Sequence, residues 1–396
     1  EPYRRQRQMC IRDSYCPILM VERCGFMKIL HCADLHIDSR MNTNFDAEKR
    51  KKRKAEILNT YRRMIEYAAE QGVAAILIAG DLFDTNSVSR TAMSAVYTSI
   101  KEHPDIAFYY LKGNHDVNSF LASMEEIPEN LHLFSDTWLS YEVGTTRRGR
   151  VMLSGVELNA ENSSLIYPAL SLDSRDLNIV TLHGQSAEYR SKDKTEVISM
   201  SLLKNKGIDY LALGHVHAHV VEALDARGIY CYPGCLEGRG FDECGEHGFE
   251  MLTVEEETGT LTHEFIPFAY RNLYTVPVDV TGCLHSDEMI QRVEEVLREK
   301  DYAPGSLLKI ELTGEVDVSC ECNVSYIQER FSPRFFFVKV KDSTRLKVDY
   351  TDYLLDESLK GEFVRTVMQD TTLTPEMQSE IIRCGLQALA GEEFAG

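Results

Sequence analysis

Five short segments that carry histidine or aspartate occur in one order along the chain, and each directly follows an apolar run typical of a buried strand. The segments are DLH (Asp34, His36), GDLFD (Asp81, Asp84), GNHD (Asn114, His115, Asp116), LHG (His183) and GHVH (His215, His217). Polar side chains at the carboxyl ends of neighbouring strands meet at one edge of an α/β sheet. The order of the segments therefore favours a fold that gathers all five at a single site.

Strand-like and helical patterns alternate from Met27 onward. Helices are predicted over residues 47–71 and 89–102, between apolar runs such as KILHCA and AAILIAG. Beyond Trp138, strand-like pieces dominate and are separated by glycine-containing turns. The pattern predicts the α/β class, with two facing mixed β-sheets flanked by helices.

The length and the changes of pattern predict more than one structural unit. A chain of 396 residues exceeds the size at which single hydrophobic cores usually stop growing. We expect a main domain over residues 27–270, a small α+β module over 271–349 and a helical region over 350–396. Residues 1–26 show no periodic pattern and are interpreted as a non-native or disordered extension outside the fold.

The charge and the hydropathy limit the function classes. A formal net charge of −19 argues against a protein that holds nucleic acid through its overall field. The basic run of residues 49–54 (KRKKRK) could contact a phosphate backbone locally, although a solvated helix face is the simpler interpretation. No apolar run approaches the roughly 20 residues that span a bilayer, so no membrane association is expected.

The eleven cysteines suggest reduced thiols. Without a recognisable secretory signal we expect a cytoplasmic protein, because disulfides persist mainly in oxidising compartments. Cys231 and Cys235, like Cys320 and Cys322, lack the paired spacing of a structural zinc site, so buried or idle thiols are expected.

The side chains of the five segments suit phosphoester hydrolysis. A phosphodiester repels nucleophiles and needs its leaving oxygen neutralised, and two cations about 3.5–4 Å apart meet both needs. Carboxylate and amide oxygens combined with imidazoles suit Mn²⁺ or Fe²⁺, whereas Mg²⁺ prefers shells of oxygen alone. The sequence therefore predicts two divalent metal ions, with Mn²⁺ preferred and Fe²⁺ or Mg²⁺ as alternatives. A lone D-x-H pair is weak evidence, but GNHD and GHVH following GD-x-x-D are uncommon together.

These segments resemble the calcineurin-like metallophosphoesterases over about residues 27–268, which implies that family's four-layer sandwich. DLHIDS, GDLFD, GNHDVNS and YPGCLEGRGFDE are most similar to SbcD-type DNA repair nucleases. The resemblance implies two ligand sets that share Asp81. The first is Asp34, His36, Asp81 and His217, and the second is Asp81, Asn114, His183 and His215. It also implies that His115 protonates the leaving oxygen, with Asp116 orienting its ring.

Four neighbouring residues receive simpler interpretations. His31 and His219 lie in strand-like runs and are expected to be packed or surface histidines rather than ligands. Asp84 is expected to be a turn residue or a carboxylate behind the ligands. His247 lies in the glycine-rich loop 234–248, which could form a wall of the cleft or a plain turn.

By resemblance, the leading hypothesis is a Mn²⁺-dependent DNA exonuclease and endonuclease of DNA repair and recombination. Its implied partners are DNA, a second copy of the chain, and an SbcC-like ABC/SMC-type ATPase. The ATPase would dock on helices at about residues 352–389, unless those helices pack back on their own domain.

The alternative is a metal-dependent phosphatase, or a small-molecule or cyclic-nucleotide phosphodiesterase, with the same metals. Thr85 and Asn86 stand where protein phosphatases carry Arg-Gly, and GNHD stands where they carry GNHE. Residues 271–396 extend beyond what small phosphodiesterases generally have. A non-catalytic scaffold is disfavoured because every expected ligand is present.

Overall fold

A computed structural model describes most of the chain. The described residues are 25–41, 45–84, 88–116, 119–122, 124, 126–186, 197–317, 320–347, 353 and 355–390. Residues 1–24 of the expected extension lie outside this set, whereas Phe26 is the first residue of the first strand. Thr85 and Asn86, which argue against the protein phosphatases, also lie outside it.

The first large sheet contains six strands. They are β1 (Phe26–Cys32), β2 (Ala75–Ala79), β3 (Ala107–Leu111), β4 (Leu131–Leu133), β13 (Gly248–Glu255) and β14 (Leu261–Pro267). Their order is β14-β13-β1-β2-β3-β4, with β1 to β4 parallel and β13 antiparallel to both its neighbours. The sheet is therefore mixed, and the carboxyl ends of β1, β2 and β3 lie at one edge.

The second large sheet also contains six strands. They are β5 (Leu139–Thr146), β6 (Gly149–Gly155), β7 (Leu177–His183), β10 (Tyr210–Gly214), β11 (Val220–Ala223) and β12 (Ile229–Tyr232). Their order is β11-β12-β10-β7-β6-β5. Two short strands, β8 (Gln185–Ser186) and β9 (Val197–Ile198), pair with each other beside it.

Helices cover the outer faces of these sheets. They are α1 (Ala47–Glu70), α2 (Arg90–Lys101), α3 (Ser119–Ala122), α4 (Ile166–Ala169) and α5 (Met200–Leu203). The side chains of Asp46 and Ser89 cap the amino termini of α1 and α2. Apolar faces of α1 and α2 pack on the first sheet, and α4 and α5 pack on the second. A separate apolar layer fills the space between the sheets, so the prediction of two facing mixed sheets flanked by helices is confirmed.

The chain then enters a smaller parallel sheet. It contains β15 (Leu273–Asp279), β16 (Leu307–Thr313) and β18 (Phe337–Asp342), beside the short pair β17 (Glu315–Val316) and β19 (Arg345–Leu346). Helices α6 (Ser286–Lys300) and α7 (Val324–Phe331) pack on it. Two further helices, α8 (Leu359–Gln369) and α9 (Pro375–Ala390), pack against each other.

Two expectations from composition can be compared with the described residues. Within them, no helix is long and apolar enough to cross a membrane. Their cysteines are free thiols, as expected: Cys32, Cys231, Cys235, Cys244, Cys283, Cys320, Cys322 and Cys384.

The basic run on α1 is only in part a solvated face. Arg53 is fully buried, and its guanidinium bonds the carboxylates of Glu56 at 2.9 Å and Glu237 at 3.0 Å. Glu56 also forms an ion pair with Arg271 at 2.6 Å. In the chain, Arg271 lies just before β15. Two more cations of the run, Lys49 and Lys52, lie over the rings of Phe337 and Phe336. The run therefore joins α1 to the smaller sheet, and Arg50 and Lys51 are among its exposed members.

This ion network predicts that removing the buried Arg53 guanidinium strongly destabilises the fold. Replacing Arg53 with Ala leaves Glu237 buried without its counter-ion, so we expect a loss of about 3–5 kcal/mol in the free energy of unfolding. Lys51→Ala, two residues away and exposed, should leave stability almost unchanged. Guanidinium unfolding of the two variants measures both. Equal unfolding midpoints would contradict a stabilising role for the network.

Candidate metal centre

Four of the five segments form turns just after β1, β2, β3 and β10, and His183 of the fifth is the last residue of β7. Four residues in these turns have positive φ although they are not glycine: Asp34 (51°), His36 (43°), Asp81 (52°) and His215 (100°). Each such conformation costs about 1–3 kcal/mol and concentrates at functional sites. Backbone bonds from Asp34 N to Gly80 O (3.1 Å) and from His36 N to Asp81 O (3.0 Å) hold the first two turns together. The turns therefore aim their side chains into one space.

One group of donors consists of Asp34, His36 and His217. Their ligand atoms lie within 4.8 Å of one another. The Nε2 atoms of the two histidines face each other at 3.1 Å, and His217 Nε2 lies 3.9 Å from Asp34 Oδ1. Two imidazole nitrogens converge in this way when both lone pairs can point at a shared cation. Burial lowers the pKa of His36, which favours the neutral, metal-binding form.

A second group consists of Asp34, Asp81 and His183, again within 4.8 Å. His183 Nε2 lies 3.4 Å from Asp81 Oδ2 and 3.2 Å from Asn114 Oδ1. Asp81 Oδ2 is also 3.9 Å from His36 Nε2, so this carboxylate reaches both groups. The ring of His215 packs edge-on against that of His183, with centroids 5.5 Å apart. The structure thus brings all seven expected ligands together.

The electrostatics of the centre fit divalent cations. Asp34 and Asp81 are almost fully buried, with 1% and 2% of their surface exposed. Burial opposes protonation of His183, but the Asp81 carboxylate outweighs it and raises the pKa of His183 to about 10. The negative charge of Asp81 and Asp34 that raises this pKa also attracts cations. The oxygen and nitrogen donors suit two divalent ions. Which residue binds which ion stays a prediction.

Backbone amides hold the two carboxylates in place. His215 N donates to both oxygens of Asp34 at 3.0 and 2.9 Å, and His115 N donates to Asp81 Oδ1 at 2.9 Å. Gly80 has a positive φ of 95°, and a Cβ there would overlap the His183 ring. Glycine is therefore needed at this position so that the His183 ring can approach the backbone.

His115 lies at the mouth of the centre, with 47% of its side chain exposed. Its ring packs edge-on against that of His36, with centroids 5.3 Å apart. Its Nδ1 is 3.4 Å from the Asp84 carbonyl oxygen and 3.9 Å from Asp84 Oδ1. The ring is thus beside the ligands and open to a bound substrate.

The expectation that Asp116 orients His115 does not match the structure. The Asp116 carboxylate accepts backbone hydrogen bonds from Leu82 (3.2 Å), Phe83 (2.9 Å) and Gly113 (3.0 Å). Burial raises its pKa to about 6. Because these amides belong to the turns after β2 and β3, Asp116 holds the two turns together. The carboxylate that lies beside His115 is instead that of Asp84.

Carboxylates also stand behind both histidines of the first group. Asp84 Oδ1 is 3.1 Å from His36 Nδ1, and Glu243 Oε1 is 2.7 Å from His217 Nδ1. Such partners fix the tautomer of a ligating ring, leaving Nε2 for the metal. Arg239 bridges the two carboxylates at 2.9 and 2.8 Å. Although burial opposes ionisation, the hydrogen bond from His36 helps to lower the pKa of Asp84 to about 2.

Sequence reasoning missed the roles of Arg239 and Glu243. Both belong to the loop 234–248, where the string GRGFDE contains charged residues but no spacing that links them to His217. His247 is buried and bonds Glu243 O at 2.8 Å, so it supports this loop rather than facing substrate. His31 is also buried, within 2.9 Å of the Tyr210 hydroxyl, as expected for a packed histidine.

Comparison with known proteins agrees with this geometry. A family model described as calcineurin-like phosphoesterase matches residues 27–219. The uncharacterized metallophosphoesterase YhaO of Bacillus subtilis (strain 168) is 30% identical over 280 residues, which cover 68% of this chain and 67% of that protein. The chain belongs to the calcineurin-like phosphoesterase family. As a member, it is a metal-dependent phosphoesterase.

More distant relatives of this calcineurin-like phosphoesterase bear a DNA repair name. The DNA double-strand break repair protein Mre11 of Methanopyrus kandleri is 23% identical, covering 74% of this chain and 69% of that protein. The protein of the same name from Sulfolobus acidocaldarius is 24% identical, covering 85% of this chain and 91% of that protein.

The contact between Glu243 and His217 predicts a change in metal affinity. Glu243→Gln keeps the shape of the side chain but removes its charge, so we expect Mn²⁺ to bind about 10–100-fold more weakly at the first group. Asp242→Asn is the matched control, because this neighbouring carboxylate is exposed. Calorimetric titration of the metal-free variants measures the affinities. Indistinguishable values for the two variants would exclude the proposed role of Glu243.

Proposed function

We propose that this chain is a cytoplasmic two-metal phosphodiesterase that acts on DNA, as an exonuclease and endonuclease of DNA repair and recombination, with Mn²⁺ as its metal. The observation that carries the reaction is the adjacency of two donor groups that share Asp34, with the Asp81 carboxylate 3.9 Å from His36 Nε2 and the exposed His115 imidazole beside them. The Mre11 relatives support DNA as substrate, because the similarity extends over most of their own length.

The chain's own residues have separate tasks in this reaction. When bound, two divalent cations supply Lewis-acid activation and neutralise charge on the phosphoester. Asp34, His36, Asp81 and His217 would hold the first, and Asp81, Asn114, His183 and His215 the second. Asp84 and Glu243 keep the rings of His36 and His217 oriented. His115, with Nδ1 directed to the Asp84 carbonyl, delivers a proton to the leaving oxygen.

The proposed role of His115 predicts a loss of turnover without a loss of metal. His115→Gln removes the titrating group, so the rate should fall by about 10²–10⁴-fold while two Mn²⁺ remain bound. His285→Gln, another exposed histidine placed just before α6, is the control. Rates and elemental analysis of the same samples measure both effects. Full activity of His115→Gln would reject the proton-donor role.

The substrate is tested with the same proteins. Purified protein with Mn²⁺ is assayed in parallel on end-labelled duplex DNA, circular single-stranded DNA, a generic bis-ester and a phosphomonoester. We expect cleavage of both DNA substrates, and its loss in the His115→Gln variant. Preferred hydrolysis of the monoester, or of small diesters alone, would instead identify a phosphatase or a small-molecule phosphodiesterase.

A DNA substrate requires local positive charge on an acidic protein. Lys54 Nζ is 3.5 Å from Asp38 Oδ1, and Asp38 follows the ligand His36 by two residues. The amino-terminal part of α1 therefore lies next to the turn that carries the metal ligands. Arg50 and Lys51 are exposed on this part of the helix, and we propose that they bind the phosphate backbone.

This interaction predicts a change in salt dependence. The double variant Arg50→Gln/Lys51→Gln should bind duplex DNA more weakly, and its log–log salt slope should fall by about 0.9 for each phosphate that the protein no longer neutralises. Arg298→Gln/Lys300→Gln on α6 removes the same charge from an exposed site far along the chain and serves as the control. Fluorescence anisotropy over a range of salt concentrations measures the slopes. An unchanged slope would show that Arg50 and Lys51 do not bind phosphate and form only a solvated helix face.

The helices α8 and α9 leave apolar side chains exposed although they pack on each other. Those exposed are Leu359, Met368, Met377, Ile381 and Leu389, together with Leu355 just before α8. We propose this surface as the docking site for an SbcC-like ABC/SMC-type ATPase. We also propose that the chain forms a homodimer, as the family resemblance implies. Co-elution of the ATPase with the intact chain, and its loss when residues 355–390 are removed, tests the docking.

A further inference from the structure

A second group of side chains that could hold a metal ion lies where the edges of the two large sheets face each other, separate from the metal centre at the strand ends, with His219 and His263 partly exposed. Glu250 on β13 is fully buried, and its carboxylate contacts His219 Nε2 at 2.6 Å and His263 Nδ1 at 3.2 Å. Cys231 on β12 is also fully buried. Its Sγ lies within 4.8 Å of donor atoms of His219 and Glu250. We propose that Cys231, His219, Glu250 and His263 form a binding site for one structural zinc ion.

The burial of Glu250 is the first reason for this proposal. It lies on the face of β13 that also carries Leu252 and Val254 into the apolar layer between the sheets. A carboxylate in such surroundings is costly unless positive charge compensates it. A divalent ion supplies that charge and at the same time engages the buried thiol, which a pair of protonated imidazoles does not.

The donor set is the second reason. One thiol, two imidazoles and one carboxylate are ligand types that zinc binds in tetrahedral sites. A tetrahedral shell with bonds of about 2.0–2.2 Å separates oxygen and nitrogen ligands by about 3.3 Å. The contact between His219 Nε2 and Glu250 Oε1 therefore needs to widen from its present 2.6 Å. His263 Nδ1 contacts the other carboxylate oxygen, Oε2, at 3.2 Å, so one of the two rings must move toward the oxygen that binds the ion.

The strand register explains why these residues share one side. Glu250 pairs with Phe265 and Leu252 pairs with His263 in the ladder between β13 and β14. Because side chains two residues apart point to the same face, Glu250 and His263 lie diagonally on that face. Phe265 stacks on the His219 ring, with centroids 4.2 Å apart and planes inclined by 23°, which holds the ring over Glu250.

The proposed site would fasten the two sheets to each other. Cys231 and His219 belong to the second sheet and the turn before β11, whereas Glu250 and His263 belong to the first sheet. His219 follows the ligand His217 by two residues, so a metal here would also anchor the turn of the first centre. A thiolate ligand favours zinc, whereas the first centre has oxygen and nitrogen donors only. The two sites therefore differ in the metal that they prefer.

Cobalt substitution tests this site without relying on activity. The full chain is stripped of metal, reconstituted with Co²⁺ and examined for a thiolate-to-cobalt charge-transfer band, which requires a cysteine ligand. We expect the band in the wild type and its loss in Cys231→Ser. The matched control is Cys235→Ser, which should keep the band although Cys235 is also buried beside a histidine and a glutamate. His263→Gln, at a partly exposed ligand, should weaken the band and provides a second variant if Cys231→Ser does not fold.

The zinc content of the purified proteins gives a second measurement. Wild type should hold about one more equivalent of zinc per chain than Cys231→Ser or His263→Gln, as expected for a single structural site. No charge-transfer band in the wild type would overturn the proposal and identify a hydrogen-bonded cluster of Glu250 with protonated histidines. A band lost in Cys235→Ser and kept in Cys231→Ser would overturn it as well.

Discussion

Two buried carboxylates, Asp34 and Asp81, impose the constraint on which the rest of the centre depends. Charges removed from water to this extent need compensation nearby, and no single strand end can provide it. The end of β7 supplies it as the His183 imidazole, and the turns after β3 and β10 supply it as backbone amides that donate to the carboxylate oxygens. This requirement explains the cluster of positive φ angles, because amides and side chains must both point inward from the same short turns. The sheets provide the rigid edge on which such strained turns persist.

One loop connects this centre to the remainder of the molecule. Residues 234–248 carry Glu243, which holds His217, and also Glu237, which bonds the buried Arg53 of α1. Arg53 shares Glu56 with Arg271 at the entrance to the smaller sheet. Ion pairs of this one loop therefore connect His217 to the interface of α1 with the smaller sheet. The smaller sheet is thus held through the same loop that orients His217.

The strands, and the gathering of the polar segments at their ends, could be predicted from sequence because both depend on local pattern. Apolar runs such as AAILIAG indicate buried strands directly, and a ligand that follows such a run needs no knowledge of distant residues. Pairings between remote segments could not be predicted in this way. Arg53 looks like one more solvated cation of a basic run, and only the position of Glu237 explains its burial. Asp116 adjoins His115 in sequence, yet the backbone of its turn directs the carboxylate to amides and leaves Asp84 beside the ring. Cys231 and Glu250 are 19 residues apart on different sheets, so no spacing rule pairs them.

The distribution of charge bears on how an acidic nuclease would hold its substrate. Several cations of the basic run are already engaged, Arg53 by carboxylates, Lys54 by Asp38, and Lys49 and Lys52 over aromatic rings. Few cations of this run therefore remain to bind phosphate, and a net charge of −19 opposes the approach of a polyanion. Each neutralised phosphate contributes to affinity through counterion release, so a surface with few available cations binds duplex DNA weakly. Under the proposed function, most of the affinity for DNA would come from a partner or a second copy of the chain. The exposed apolar surface of α8 and α9 would then serve to bind that partner.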